Sequence, residues 1–211
     1  GASWLAKADN STQTIVTMEA ARGEILDCNG NPLAVNKTSY SVVFNWLYMK
    51  QETYEETIKT ENATILSLIK LLDKEGVEWL DTLPITIDEN GSYQFKEDSE
   101  REINTLKGKD YADVNSYATA DICMENLIKK YEVEGYSKEE TRDIVSVRYN
   151  MVKEQFDTSS PYTFAEDIPL DLVTVISENS SKLPGVTVEV TTSREYYDTS
   201  LIPQIVGQMG K

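Results

Sequence analysis

The chain has 211 residues, of which 40% are hydrophobic and 27% charged, with a net charge of −16 and no histidine. That balance suits a globular protein with a real core, while the acidic field repels phosphate backbones and anionic headgroups, so no nucleic-acid partner is expected. The lack of histidine removes Ser-His-Asp, Cys-His and His-ligated zinc chemistry together, and no cofactor or metal is implied.

From the N-terminus, β-rich runs are expected at residues 14–18, 24–26 and 40–44, separated by turns. Asn29-Gly30 is a turn signal because both residues tolerate positive φ, and Pro32 argues against a long central strand at that point. Near residue 51 the period changes. Ile58, Ile65, Ile69 and Leu72 recur at helical spacing and predict an amphipathic helix over 54–75. Two short strands follow around Asn90-Gly91, within residues 83–95, and residues 96–113 read as loop or irregular helix.

Ala120, Cys123, Leu127 and Tyr131 share one face of a helix over 118–132. Ser137 and Glu140 form a capping box ahead of a further helix that aligns Val145, Tyr149, Val152 and Phe156. Another helix is expected to begin near Pro169, capped by Asp167, and to end in the polar run 177–182. Val186, Val188 and Val190 then alternate as in a half-buried strand. The class is α+β. The two ends, 14–45 and 185–211, are expected to pair as a β-rich stem, with 46–184 inserted as a mainly helical head.

Several fragments of the sequence imitate catalysis. Ser67 and Lys70 fit S-x-x-K, Ser177 and Asn179 fit S-x-N, and Lys37-Thr38-Ser39 loosely follows K-T-G. The K-T element comes first instead of last, its third residue is not Gly, and Ser67 falls mid-helix, so these read as chance matches. Adjacent carboxylate pairs such as Glu55-Glu56 do not face one another on a helix and read as solvated surface. Cys28 and Cys123 are too few for a disulfide framework and read as reduced thiols. No apolar run is long enough for a membrane span. The opening Gly-Ala-Ser, without Met, reads as the start of an excised fragment.

Residues 22–34, RGEILDCNGNPLA, closely resemble the R-G-x-I-x-D-R-N-G-x-x-L-A signature of class B penicillin-binding proteins. Arg22, Gly23, Ile25, Asp27, Asn29, Gly30, Leu33 and Ala34 match; Cys28 stands where the family usually has Arg. Residues 162–190 are similar to a stretch ending in L-P-G-V-x-V, Arg194-Glu195-Tyr196 to R-x-Y-P with Tyr197 replacing proline, and 201–210 to A-H-x-x-G-x-x-G with Gln204 in place of His.

The resemblance implies the N-terminal dimerisation, or pedestal, domain without its catalytic partner, and hence no activity in this chain itself. Arg22, Gly23, Asp27, Gly30, Arg194 and Tyr196 are the structural motif residues it singles out. Gly23 and Gly30 are expected where a Cβ would strain the backbone, Asp27 as acceptor for turn amides, and each arginine as a pin between strands or onto a carboxylate. Expected partners are the protein's own C-terminal transpeptidase domain, a membrane-embedded glycan polymerase and other elongation or division proteins. The parent is expected on the extracytoplasmic face of a bacterial cell membrane, anchored by an upstream helix. The rival reading is a secreted module that binds peptide or glycan through its 12 tyrosines.

Overall fold

Residues 23–197 are described by the computed structural model. The expected strand at 14–18, Arg22 and the 201–210 block lie outside them. Strand β1 (Ile25–Leu26) turns back through Asp27 to Asn31 into β2 (Pro32–Phe44), pairing antiparallel with Ile25 opposite Ala34. β2 is thirteen residues long and is the strand on which β1, β5 (Tyr162–Ala165) and β6 (Val186–Tyr196) all pair. The expectation against a long central strand at Pro32 is therefore corrected. Proline is excluded from strand interiors because it lacks an N–H to donate, and Pro32 occupies the first position, where that lack is tolerated.

Six helices lie among the described residues: α1 (Trp46–Met49), α2 (Tyr54–Glu75), α3 (Glu100–Leu106), α4 (Ala120–Lys130), α5 (Lys138–Lys153) and α6 (Leu170–Glu178). A separate hairpin, β3 (Ile85–Ile87) and β4 (Tyr93–Phe95), stands between α2 and α3. The fold is α+β, with antiparallel strand pairs and helices interspersed along the chain.

Local chemistry accounts for the helix boundaries. The Thr53 side chain accepts from Glu56 N to start α2, and Gly76, at φ 68°, ends it in the left-handed conformation that glycine adopts most cheaply. Ser137 and Glu140 cap α5 reciprocally. α6 departs from expectation, since its N-cap is Pro169 and Asp167 makes no cap. Asp167 sits at φ 57°, too far upstream to reach the first-turn amides, and its carboxylate accepts from Ser39 Oγ at 2.8 Å.

Among the described residues, contacts divide the chain into two units at 37/38 and 193/194, residues 38–193 forming the larger. The divisions thus fall inside β2 and β6, where 45/46 and 184/185 were expected. The cause is burial: Ser39, Ser41, Val42, Val43 and Phe44 are all buried, so the distal half of β2 belongs to the helical unit's core. In that core α2 packs on α5, and α4 packs on both α5 and β4. Ile58, Ile65, Leu68, Ile69 and Leu72 give α2 its apolar face, each worth roughly 1.5–3 kcal/mol when fully buried. Phe44 meets Phe164 edge-on at 5.7 Å, and Trp79 stacks on Phe164 at 5.9 Å. Val152, expected on the buried face of α5, is 37% exposed, while Met151 is buried in its place as the helix reaches its end.

Candidate functional site

The densest polar constellation lies along α5. Arg142, Ser146 and Asn150, at i, i+4 and i+8, form a buried polar stripe on one helix face. Opposite it runs the segment 80–85, irregular up to the start of β3 at Ile85. Arg142 Nε and Nη2 donate to the Ile85 carbonyl at 3.0 and 2.9 Å, and Nη2 also reaches both Asp81 oxygens at 2.9 and 2.7 Å. Ser146 Oγ donates to Asp81 at 2.6 Å, Asn150 Nδ2 donates to Leu80 O at 2.7 Å, and Thr82 Oγ1 donates to Asn150.

Burial pushes the Asp81 carboxyl up, but the Ser146 hydroxyl, Arg142 and Lys96 outweigh it and hold the group below its usual value. Burial pushes the adjacent Asp143 carboxyl up, against the Arg142 guanidinium beside it.

A second buried pair joins α5 to α2. The Glu61 carboxylate, 2% exposed, pairs with Arg148, whose guanidinium also lies 5.4 Å from the centre of the Tyr131 ring. Burial draws the Arg148 guanidinium down to about 10, which leaves it charged at neutral pH. Neighbouring Asn62 donates to the Tyr131 and Glu132 carbonyls and ties the C-terminal end of α4 to α2. In both clusters side chains hold backbone in place: Arg142 and Asn150 bond the 80–85 segment, and Asn62 bonds the end of α4.

The motif residues singled out in the sequence are placed as follows. Asp27 Oδ1 accepts from the amides of Asn29 and Asn31 at 2.8 and 2.7 Å, Oδ2 accepts from Asn31 Nδ2, and Gly30 N donates to the Asp27 carbonyl at 3.0 Å. These bonds, from Asn31 foremost, hold the exposed Asp27 carboxyl below its usual value. Gly30 has φ 84°, which explains its glycine. Gly23 does not fit the strain expected of it: its φ lies outside the left-handed region and a Cβ there would meet nothing within 4 Å. Its carbonyl instead accepts from Arg194 Nη1 at 2.7 Å, and the same nitrogen donates to Asn36 Oδ1 at 3.0 Å. Tyr196 is 40% exposed on β6.

The catalytic look-alikes are not assembled. Ser67 Oγ donates to the Ala63 carbonyl one turn back, and Lys70 pairs with Glu140 at 2.6 Å. Ser177 Oγ donates to Val173 O, Asn179 Nδ2 to Val175 O, and Ser39 is held by Asp167. Ser67 and Ser177 thus each spend their proton on a backbone carbonyl one turn back, and neither donates to a base. Cys28 and Cys123 are free thiols, one exposed and one buried. Among the described residues no His/Cys/Asp/Glu group fits a metal ion, and no helix is long and apolar enough to cross a membrane.

The buried polar stripe is not predicted by apolar periodicity, although its i, i+4, i+8 spacing beside Val145 and Tyr149 on the same helix is a visible signal. Its partner Asp81 gives no such signal, because nothing local distinguishes it from the many solvated carboxylates.

Comparison with known proteins adds to this geometry. No curated protein matches the chain. Among solved structures, penicillin-binding protein 2B from Streptococcus pneumoniae strain 5204 is similar at 17% identity and a TM-score of 0.41, covering 88% of this chain and 27% of that one. The same protein from strain R6 aligns at 20% identity and a TM-score of 0.37, with the same coverages of 88% and 27%. The chain therefore spans 27% of the length of these relatives. The family model of the penicillin-binding protein dimerisation domain matches residues 17–211. The chain belongs to that family, the penicillin-binding protein dimerisation domain.

Proposed function

We propose that this chain is the non-catalytic scaffold of a peptidoglycan transpeptidase. It positions a downstream transpeptidase domain and offers docking surfaces to a membrane-embedded glycan polymerase and other elongation or division proteins. The parent sits on the extracytoplasmic face of the cell membrane, held by an upstream helix. The observation that carries this reading is the family match over residues 17–211, nearly the full chain. The internal bonding of Ser67, Lys70 and Ser177 supports it, because none of these groups is poised as a nucleophile or base.

A fluorescent β-lactam tests the non-catalytic part. The 211-residue chain should remain unlabelled while the full-length parent is labelled; labelling of Ser67 in this chain would overturn the reading. The positioning role is tested in cells depleted of the native protein. A parent in which residues 23–197 are replaced by a flexible linker should still be labelled yet fail to support growth. Normal growth with that replacement would remove the scaffold role.

A further inference from the structure

Two hairpin turns, in separate parts of the chain, use the same chemistry. In the first, Asp27, Cys28, Asn29, Gly30 and Asn31 connect β1 to β2; in the second, Asp88, Glu89, Asn90, Gly91 and Ser92 connect β3 to β4. In each, the aspartate Oδ1 accepts two backbone amides. These are Asn29 and Asn31 at 2.8 and 2.7 Å in the first turn, and Asn90 and Ser92 at 2.9 and 2.8 Å in the second. In each, the glycine N–H donates to the aspartate carbonyl, at 3.0 Å for Gly30 and 2.9 Å for Gly91. The glycines have φ 84° and 77°, and both asparagines are exposed.

Asn-Gly is the dipeptide most prone to spontaneous deamidation, because glycine puts no side chain in the way of ring closure. The glycine amide nitrogen attacks the asparagine Cγ, the new C–N bond forms, and the Cγ–NH2 bond breaks. Ammonia leaves carrying the glycine amide proton, and water then opens the succinimide to aspartate or isoaspartate. The reaction needs a glycine nitrogen that is free of its hydrogen bond and a backbone free to bring it to Cγ. Both requirements are opposed by the bonds just described.

We propose that Asn29-Gly30 and Asn90-Gly91 are latent deamidation sites, and that Asp27 and Asp88 each hold the neighbouring site closed. The aspartate carbonyl occupies the nucleophile's N–H, while the carboxylate fixes the amides on either side of the reacting pair. Opening of the turn, and not solvent access, then limits the chemistry, since both asparagines already face water. The product matters for the fold. Isoaspartate inserts a methylene into the main chain and adds a negative charge beside the clamping carboxylate, so a turn once converted does not re-form its amide pair. The first turn lies inside the segment that carries the family signature, which makes this chemical ageing a loss at that motif.

The test is peptide mapping of the folded 211-residue chain after incubation at 37 °C and pH 8. Isoaspartate at 29 and at 90 is quantified separately by electron-transfer fragmentation, with the urea-unfolded chain setting the unprotected rate. Two amide bonds to each carboxylate predict that both sites convert about tenfold more slowly in the folded chain. Asp88→Ala should accelerate conversion at Asn90 alone, and Asp27→Ala at Asn29 alone, so each variant serves as the other's control. Asp88→Asn, which retains an acceptor oxygen, should keep most of the protection. Equal rates in folded and unfolded chains, or a variant that accelerates both sites or neither, would overturn the proposal.

Discussion

Arg142 and Asp81, 61 residues apart, are joined by a guanidinium nitrogen that reaches both carboxylate oxygens, while the same side chain bonds the Ile85 carbonyl. Arg142 is 10% exposed at its side chain and Asp81 30%. Removing the cation strips the half-buried carboxylate of its strongest partner, leaving Ser146 and Lys96, and takes both guanidinium donors from the Ile85 carbonyl. Arg142→Ala should therefore destabilise the chain by about 3 kcal/mol, lowering Tm by roughly 6–12 °C. Arg142→Lys should recover only part of this, because a point charge lacks the paired donors. Thermal melts followed by circular dichroism decide it, and a loss under about 1 kcal/mol, the range of exposed pairs, would show that the contact is ornamental.

Asp81 also gives the chain a slope with pH. Its folded value is held below the ordinary 3.8. Its contribution is therefore complete above the unfolded value and is lost as pH falls through the lower folded value. Urea midpoints between pH 7 and pH 2 should show the wild-type advantage over Asp81→Asn shrinking only below about pH 4. Asp143, raised by burial, works in the opposite sense: its ionisation costs stability as pH rises above 3.8 through its higher folded value. The two carboxylates are thus separable by the sign of their slopes.

Gly185 is confined on two counts. Its φ is 79°, and a Cβ would fall 2.1 Å from Met49 Cγ and 3.1 Å from Asn45 O. Gly185→Ala should cost about 2–4 kcal/mol. Adding Met49→Ala removes the contact with Cγ but neither the approach to Asn45 O nor the backbone strain, so the double variant should remain below Met49→Ala alone. Equality of those two variants would leave no role for φ or for the approach to Asn45 O.

The buried Glu61–Arg148 pair should show strong coupling. Glu61→Leu strands a guanidinium that is 14% exposed and should cost about 3–5 kcal/mol. Glu61→Leu with Arg148→Met removes both charges and should restore much of that loss. A double-mutant cycle by chemical denaturation gives the number, and additive losses would refute the pairing.

Much of the fold is legible in the sequence where the signal is local. The α2 boundaries follow from the spacing of Ile58, Ile65, Ile69 and Leu72, and the α5 start from Ser137 and Glu140, because periodicity and capping act within a few residues. The turns at Gly30 and Gly91 are readable for the same reason. Three features were not legible. β5 is four residues long and largely buried, so it shows no alternation. Pro32 is a breaker or a strand start according to which neighbour pairs with it. Asp167 carries a capping residue's chemistry, yet tertiary placement hands it Ser39. The site is legible only as a family motif: Asp27 and Gly30 explain themselves through their turn, whereas the Arg142–Asp81 contact depends on a separation that no local window spans.

The polar stripe on α5 also restricts how this module is able to vary in length. Inserting one residue between Arg142 and Asn150 turns everything beyond it by about 100°, so Asn150 would swing off the Leu80 carbonyl while Arg142 stayed in place. No sliding of the 80–85 segment repairs this, since Arg142 still holds Asp81 and the Ile85 carbonyl. The turn at 88–92 and the polar surface of α3 hold no such bookkeeping of register. Insertions and deletions are therefore tolerated in the hairpin and the loops around it, while the helix between 142 and 150 behaves as a ruler of fixed length.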